Sequence, residues 1–176
     1  MDKEQFWELV EAARGRVADP HDSEAVAREA TSLLADRPGE EIVGAEQVLW
    51  DLMARSYTSP LWAAAYTVNG GCSDDGFDYF RGWLIAQGHD AFERAVADPD
   101  TLADLPVVHT SATEGFDLEC EDMLGIAWHA HVTATGEPPA GAPAIRYPPL
   151  DPTWAFDFGD SEEIARRLPR LAALHL

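Results

Sequence analysis

The sequence predicts an all-α, compact multi-helix domain. Three observations carry this. Apolar residues recur at three- and four-residue spacing through most of the 176 positions. Helix-capping and helix-stopping residues punctuate those runs. Strand-like alternation is scarce and confined to Trp154, Phe156 and Phe158. With 46% apolar and 25% charged residues, the composition is globular, and the length suits a single domain, 1–176.

Taken in order, Asp2 and Gln5 form a capping box for a first helix whose inner face is Phe6, Leu9, Val10, Ala13 and Val17. Asp19-Pro20 ends that region. Ser23 caps a second helix carrying Val26, Ala30, Leu33 and Leu34, which Pro38-Gly39 stops. Ile42, Ala45, Leu49, Leu52 and Met53 mark a third. Ser59-Pro60 reads as a cap followed by proline in the first turn, opening a fourth helix with Leu61, Trp62, Ala64, Ala65 and Val68. Ser73 caps a fifth, with Asp74 and Asp75 at its positive end and Gly88 as its left-handed stop. Asp90 and Glu93 open a short helix through Val96. A longer helix is expected from about Gly115, with Phe116, Cys120, Met123, Ile126, Ala127 and Ala130 inward. Residues 136–160 begin with six prolines in seventeen positions and read as an irregular arm. Ser161 then caps a terminal helix, 161–176, with Ile164, Leu168 and Leu171 inward.

The net charge is −20, from 32 acids and 12 bases spread over both halves of the chain. Such a charge opposes direct binding to a nucleic-acid backbone or an anionic membrane. No run of about 18 apolar residues suggests a membrane span, and the charged N-terminus lacks an apolar signal core. Two cysteines, Cys72 and Cys120, are too few for a disulfide framework, which fits a reducing cytoplasm. One lysine against eleven arginines, with abundant alanine, suggests a GC-rich bacterial source. Between Arg94 and Arg146 there is no basic residue but there are nine acids, so this stretch is a candidate docking face for a basic partner or a cation.

The densest chemistry lies in Cys72–Gly88, CSDDGFDYFRGWLIAQG. Asp74 and Asp78 share a helix face, and Arg81 follows Asp78 by three positions. Asp74, Asp75 and Asp78 are candidate ligands for a divalent cation, and Arg81 is a candidate fork for an anionic group. The bland reading is that the first two complement the helix end and that Asp78–Arg81 is an ion pair. Glu119 and Glu121 form a second acidic set with Asp122, followed by His129 and His131, without a zinc or di-iron spacing. No nucleophile elbow or phosphate loop is present, and no cofactor is evident. Of six tryptophans, Trp62 and Trp83 are the candidates to line a pocket.

Phe6-Trp7, Leu61-Trp62, Gly70-Gly71, Ser73-Asp74-Asp75-Gly76-Phe77, Tyr79-Phe80-Arg81, Trp83-Leu84-Ile85, Gln87-Gly88 and 98–103 (DPDTLA), with Glu119 and Glu121, resemble the bacterial domain-of-unknown-function family 4240 over residues 1–135. The resemblance implies no activity, but it makes the SDDGF segment the place to look for a site. Two functions stay open on the residues, beside a third reading as a structural scaffold without a ligand. One is a soluble binding or regulatory module for a basic protein partner. The other is an enzyme or small-ligand protein built on Asp74, Asp75, Asp78 and Arg81. The spare tryptophans are compatible with a homodimer, though nothing in the sequence demands one.

Overall fold

The computed structural model describes residues 1–141 and 145–176, and within them it is helical without strands. The ten α-helices are α1 (Lys3–Arg14), α2 (Ser23–Ala35), α3 (Gly39–Arg55), α4 (Ser59–Val68), α5 (Asp74–Ala86), α6 (His89–Ala97), α7 (Pro106–Glu114), α8 (Ile126–Thr135), α9 (Ser161–Arg167) and α10 (Pro169–His175). Short 3-10 turns at Pro99–Asp104, Asp122–Gly125 and Pro152–Trp154 join some of them. Among the described residues no helix is long and apolar enough to cross a membrane.

Local chemistry explains the boundaries. Asp2 and Gln5 make the reciprocal capping box of α1, with both bonds at 2.9 Å. Ser73 caps α5 through the Gly76 amide. Other caps stand one residue earlier than the sequence suggests: Asp22 rather than Ser23, Thr58 rather than Ser59, and Asp160 rather than Ser161. Each of these takes an orphan amide of the first turn from an extended backbone. Gly88 has φ +95° and stands between α5 and α6, where it, and not Asp90, precedes the first turn of α6.

α5 is the central element. It touches α1, α2, α3, α4 and α6, and its residues from Phe80 to Ala86 are all buried. α2 packs on α1 and α8, and α8 also packs on α3. The buried side chains form one cluster that takes in Ile164, Leu168, Leu171 and Ala172 from α9 and α10.

Three expectations fail. The terminal helix is two, because Pro169 cannot continue the hydrogen-bond ladder past Leu168. α7, on Val107, Val108 and Ser111, is an element the sequence reading does not contain. The long helix expected from Gly115 is replaced by irregular chain over 116–121 and a 3-10 turn, with α8 starting only at Ile126. Gly115 is left-handed (φ +74°) and ends α7. Beyond it Leu118 and Cys120 are buried while Asp117, Glu119 and Glu121 point outward, an alternation of period two. The side chain of Asn69 holds Leu118 through both its amide (2.9 Å) and carbonyl (3.5 Å), and the Cys120 amide donates to the Tyr79 carbonyl at 2.9 Å. Phe116, expected inward, is 40% exposed.

Candidate functional site

The SDDGF segment divides into an outer and an inner half. Asp74 and Asp75 are exposed in the first turn of α5, where the helix dipole favours carboxylates. Arg81, one helical turn past Asp78, is completely buried. Its guanidinium donates to Asp78, to the Met53 carbonyl at the end of α3 and to the Phe77 carbonyl (3.2 Å). Three rings surround it, Phe77 at 4.6 Å, Tyr147 at 5.1 Å and Tyr57 at 5.2 Å from its carbon. Arg81 therefore ties α5, α3 and the arm together and offers no fork to an outside anion. Burial lifts the Asp78 carboxyl above the usual range, and the pull of Arg81 does not fully offset it.

The two tryptophans also part. Trp62 is half-buried, stacked on Phe77 (4.7 Å, 13°), and donates to the Cys72 carbonyl at 3.3 Å. Trp83 is 2% exposed and belongs to the lining of a cleft that does not include Trp62.

That cleft has a volume of about 490 Å³. Asp19, Asp22 and Glu24 come to it from the start of α2, and Glu114, Asp117 and Glu119 from the end of α7 and the extended segment. Among the described residues Glu24 alone of these six forms an ion pair, an exposed one with Arg28 at 3.6 Å. His21 is the other titratable side chain in the wall, its Nδ1 held 3.1 Å from Gln87 Oε1. Burial and the neighbouring Asp117 raise the Glu119 carboxyl above the ordinary range.

The acidic surface continues past Glu119 onto α5. An ideal Cβ on Gly76 would lie 3.3 Å from Glu119 Oε1, so this carboxylate sits against the SDDGF turn. Glu121, Asp75 and Glu119 together push the Tyr79 phenol above its usual value, with Glu121 the largest influence. Glu119 and Glu121 thus lie close to the exposed first turn of α5 with Asp75, while Arg81 turns fully inward and Asp78 partly so. The other acids of the base-free stretch behave differently. Asp104 pairs with Arg94 and Arg170, and buried Asp100 accepts the amides of Arg170 and Leu171 (both 3.0 Å) to start α10.

Glu121, Asp122 and His129 border a further cavity with Tyr79, whereas His131 bonds the Glu137 carbonyl at the end of α8. Among the described residues no group of three His, Cys, Asp or Glu side chains is placed to hold a metal ion, Asp74, Asp75 and Asp78 included. Burial, Glu119 and Asp74 drive the Cys72 thiol up to about 12, which opposes formation of its thiolate. The cleft acids near α2 escape sequence reading because Asp19 and Asp22 look like turn and cap residues, which they also are. The alternation of 117–121 was the readable signal for the others.

A family model described as "Protein of unknown function (DUF4240)" matches residues 1–132. No curated protein and no solved structure matches the chain.

Proposed function

The chain belongs to the DUF4240 family, and we propose that it is a binding module that takes a basic segment of a protein partner on the acidic face around the α2–α7 cleft. The observation that carries this reading is the gathering of Asp19, Asp22, Glu114, Asp117 and Glu119 around one cleft without an arginine or lysine partner among the described residues. Like charges held together raise the energy of the free protein, and a cationic partner relieves it. The exposed ring of Phe116 and the half-buried Val107 in the cleft lining suit an arginine or lysine stem with its charge outward. For the alternative, an enzyme or small-ligand site on Asp74, Asp75, Asp78 and Arg81, Arg81 is buried and bound to Asp78, while Asp74, Asp75 and part of Asp78 stay open to solvent.

The test uses the full chain and an arginine-rich peptide, followed by titration calorimetry at low and moderate salt. Binding should weaken as ionic strength rises. Replacing Glu114, Asp117 and Glu119 together by their amides should weaken it about tenfold, at a few tenths to 1 kcal/mol per charge. An amide triple of Glu4, Glu8 and Glu40, all exposed on α1 and α3, is the control. Equal losses in both triples would reduce the effect to bulk charge and overturn the cleft as the docking site.

A further inference from the structure

A second concavity lies along α4, lined by Ser59, Trp62 and Tyr66 of that helix, and its chemistry differs from that of the acidic cleft. It is a groove of about 490 Å³ between α4 and the arm. Trp62 and Tyr66 form the helical wall, and Trp154, Phe156 and Phe158 form the wall on the arm. From this set we infer that the groove is a binding site for an alkylated ammonium ion, such as a trimethylammonium head group.

The rings are fixed before any ligand arrives. Trp62 is held by its stack on Phe77 and its bond to the Cys72 carbonyl. Trp154 and Phe156 are held by Arg167, whose guanidinium carbon stands 4.7 Å and 4.9 Å from their centroids. Phe158 meets Phe156 at 5.4 Å and Tyr66 at 6.1 Å, both edge to face. The same molecule thus already uses the rings of Trp154 and Phe156 to hold a cation. Arg167 does not line the groove, and its Nε is bound to Glu163 at 2.9 Å.

Two carboxylates complete the site. Asp151 and Asp157 stand on the arm side of the groove. Asp151 Oδ1 is oriented by the Thr153 amide (2.9 Å) and hydroxyl (2.8 Å), and Asp157 Oδ1 by the Gly159 amide (2.9 Å). The Thr153 bonds also keep Asp151 ionised by lowering its carboxyl below the usual range. A quaternary ammonium ion needs no hydrogen-bond acceptor. It gains from ring faces and from nearby negative charge, while its methyl groups cover apolar surface. A metal ion would lose its water shell against these rings and gain at most the two carboxylates in return, since among the described residues no group of three His, Cys, Asp or Glu side chains is placed to hold one. The chain's net charge of −20 favours entry of a cation from a distance.

This inference is independent of the acidic cleft and is read out separately. The full chain is titrated with choline and with 3,3-dimethyl-1-butanol, its neutral carbon isostere, with binding followed by NMR of the indole protons. Choline should bind at least ten times more tightly than the isostere. Equal affinity would make the groove merely apolar, and no binding of choline or of a trimethyllysine peptide at millimolar concentration would end the proposal. Asp157→Asn and Trp154→Ala, both on the arm and distant from the buried core of α5, should each weaken choline at least threefold with the helical circular dichroism unchanged. If Trp62→Leu fails to fold, these two arm variants still decide the question. A trimethyllysine peptide that binds better than free choline would place the head group on a protein side chain, and the reverse order would place it on a free small molecule; either order sustains the site.

Discussion

Asp74–Arg81 and Glu114–Asp122 are both acid-rich, yet the fold treats them oppositely. In the first, the one buried base, Arg81, turns Asp78 inward and binds three separate parts of the chain. In the second, an extended backbone pinned by Asn69 and Tyr79 buries only Leu118 and Cys120 and turns every carboxylate outward. The difference is the availability of a guanidinium. With 12 bases for 32 acids most carboxylates go without a partner, and their placement is decided by the apolar residues between them. A dense charged motif is therefore a poor guide to a site on its own. The helical motif spends its charge on the core, and the plainer extended one keeps its charge for solvent.

The largest expected effect breaks the inner half of the comparison. Arg81→Met removes the guanidinium that donates to Asp78 and to the Met53 carbonyl, and leaves that carbonyl with the Ser56 hydroxyl (3.2 Å) as its side-chain donor. Loss of one partner of a fully buried pair costs about 3–5 kcal/mol, and the partial exposure of Asp78 puts this loss at the lower end of that range. Urea unfolding followed by circular dichroism should show that loss, and Arg81→Lys should recover only part of it, because an ammonium cannot reproduce the planar fork. A change below 1 kcal/mol would mean that Arg81 is an exposed, ligand-ready group after all.

A middle-sized effect sits where the two regions touch. Any Cβ on Gly82 would collide with the Cys120 carbonyl oxygen, which is backbone and cannot step aside. Gly82→Ala should destabilise by about 1–3 kcal/mol, measured by the urea midpoint. Gly76→Ala tests the same helix against the same segment with a softer neighbour, since its Cβ would meet side-chain atoms, the oxygens of Glu119 and Ser73 at 3.3 Å and the Cys72 sulfur at 3.8 Å. Its cost should stay within about 1 kcal/mol. If the two variants behave alike, the close packing of α5 on the acidic segment is not what fixes that segment.

How much of this the sequence discloses depends on the range of the interaction. The capping box of α1, the Ser73 cap and the inward faces of α1 to α5 rest on residues three or four apart, and they read directly. The ion pair of Asp78 with Arg81 reads for the same reason. What does not read is everything set from afar. Asn69 imposes extended backbone on Leu118 from 49 positions away, against a run that also fits helical spacing. Arg170 neutralises Asp104 across 66 positions, so the stretch between Arg94 and Arg146 is base-free only along the chain. The aromatic groove needs the arm to fold back on α4, which proline content alone does not specify.

The smallest effect has the sharper sign. Burial and Asp117 hold the Glu119 carboxyl above its ordinary value, so the folded state binds that proton more tightly than the unfolded chain does. The ionised form is then the unfavourable one. Its penalty is present at neutral pH, above the folded value, and is relieved as pH falls through that value. Glu119→Gln should therefore stabilise the protein slightly at pH 7, by no more than about 0.5 kcal/mol given its exposure to solvent. The advantage over the wild-type chain should shrink as the pH approaches about 4, which urea midpoints at a series of pH values would resolve. The same substitution should weaken the arginine-rich peptide. A residue whose removal helps the fold and harms binding belongs to a surface kept for a partner, whereas a loss of stability would assign Glu119 to the structural side, beside Asp78.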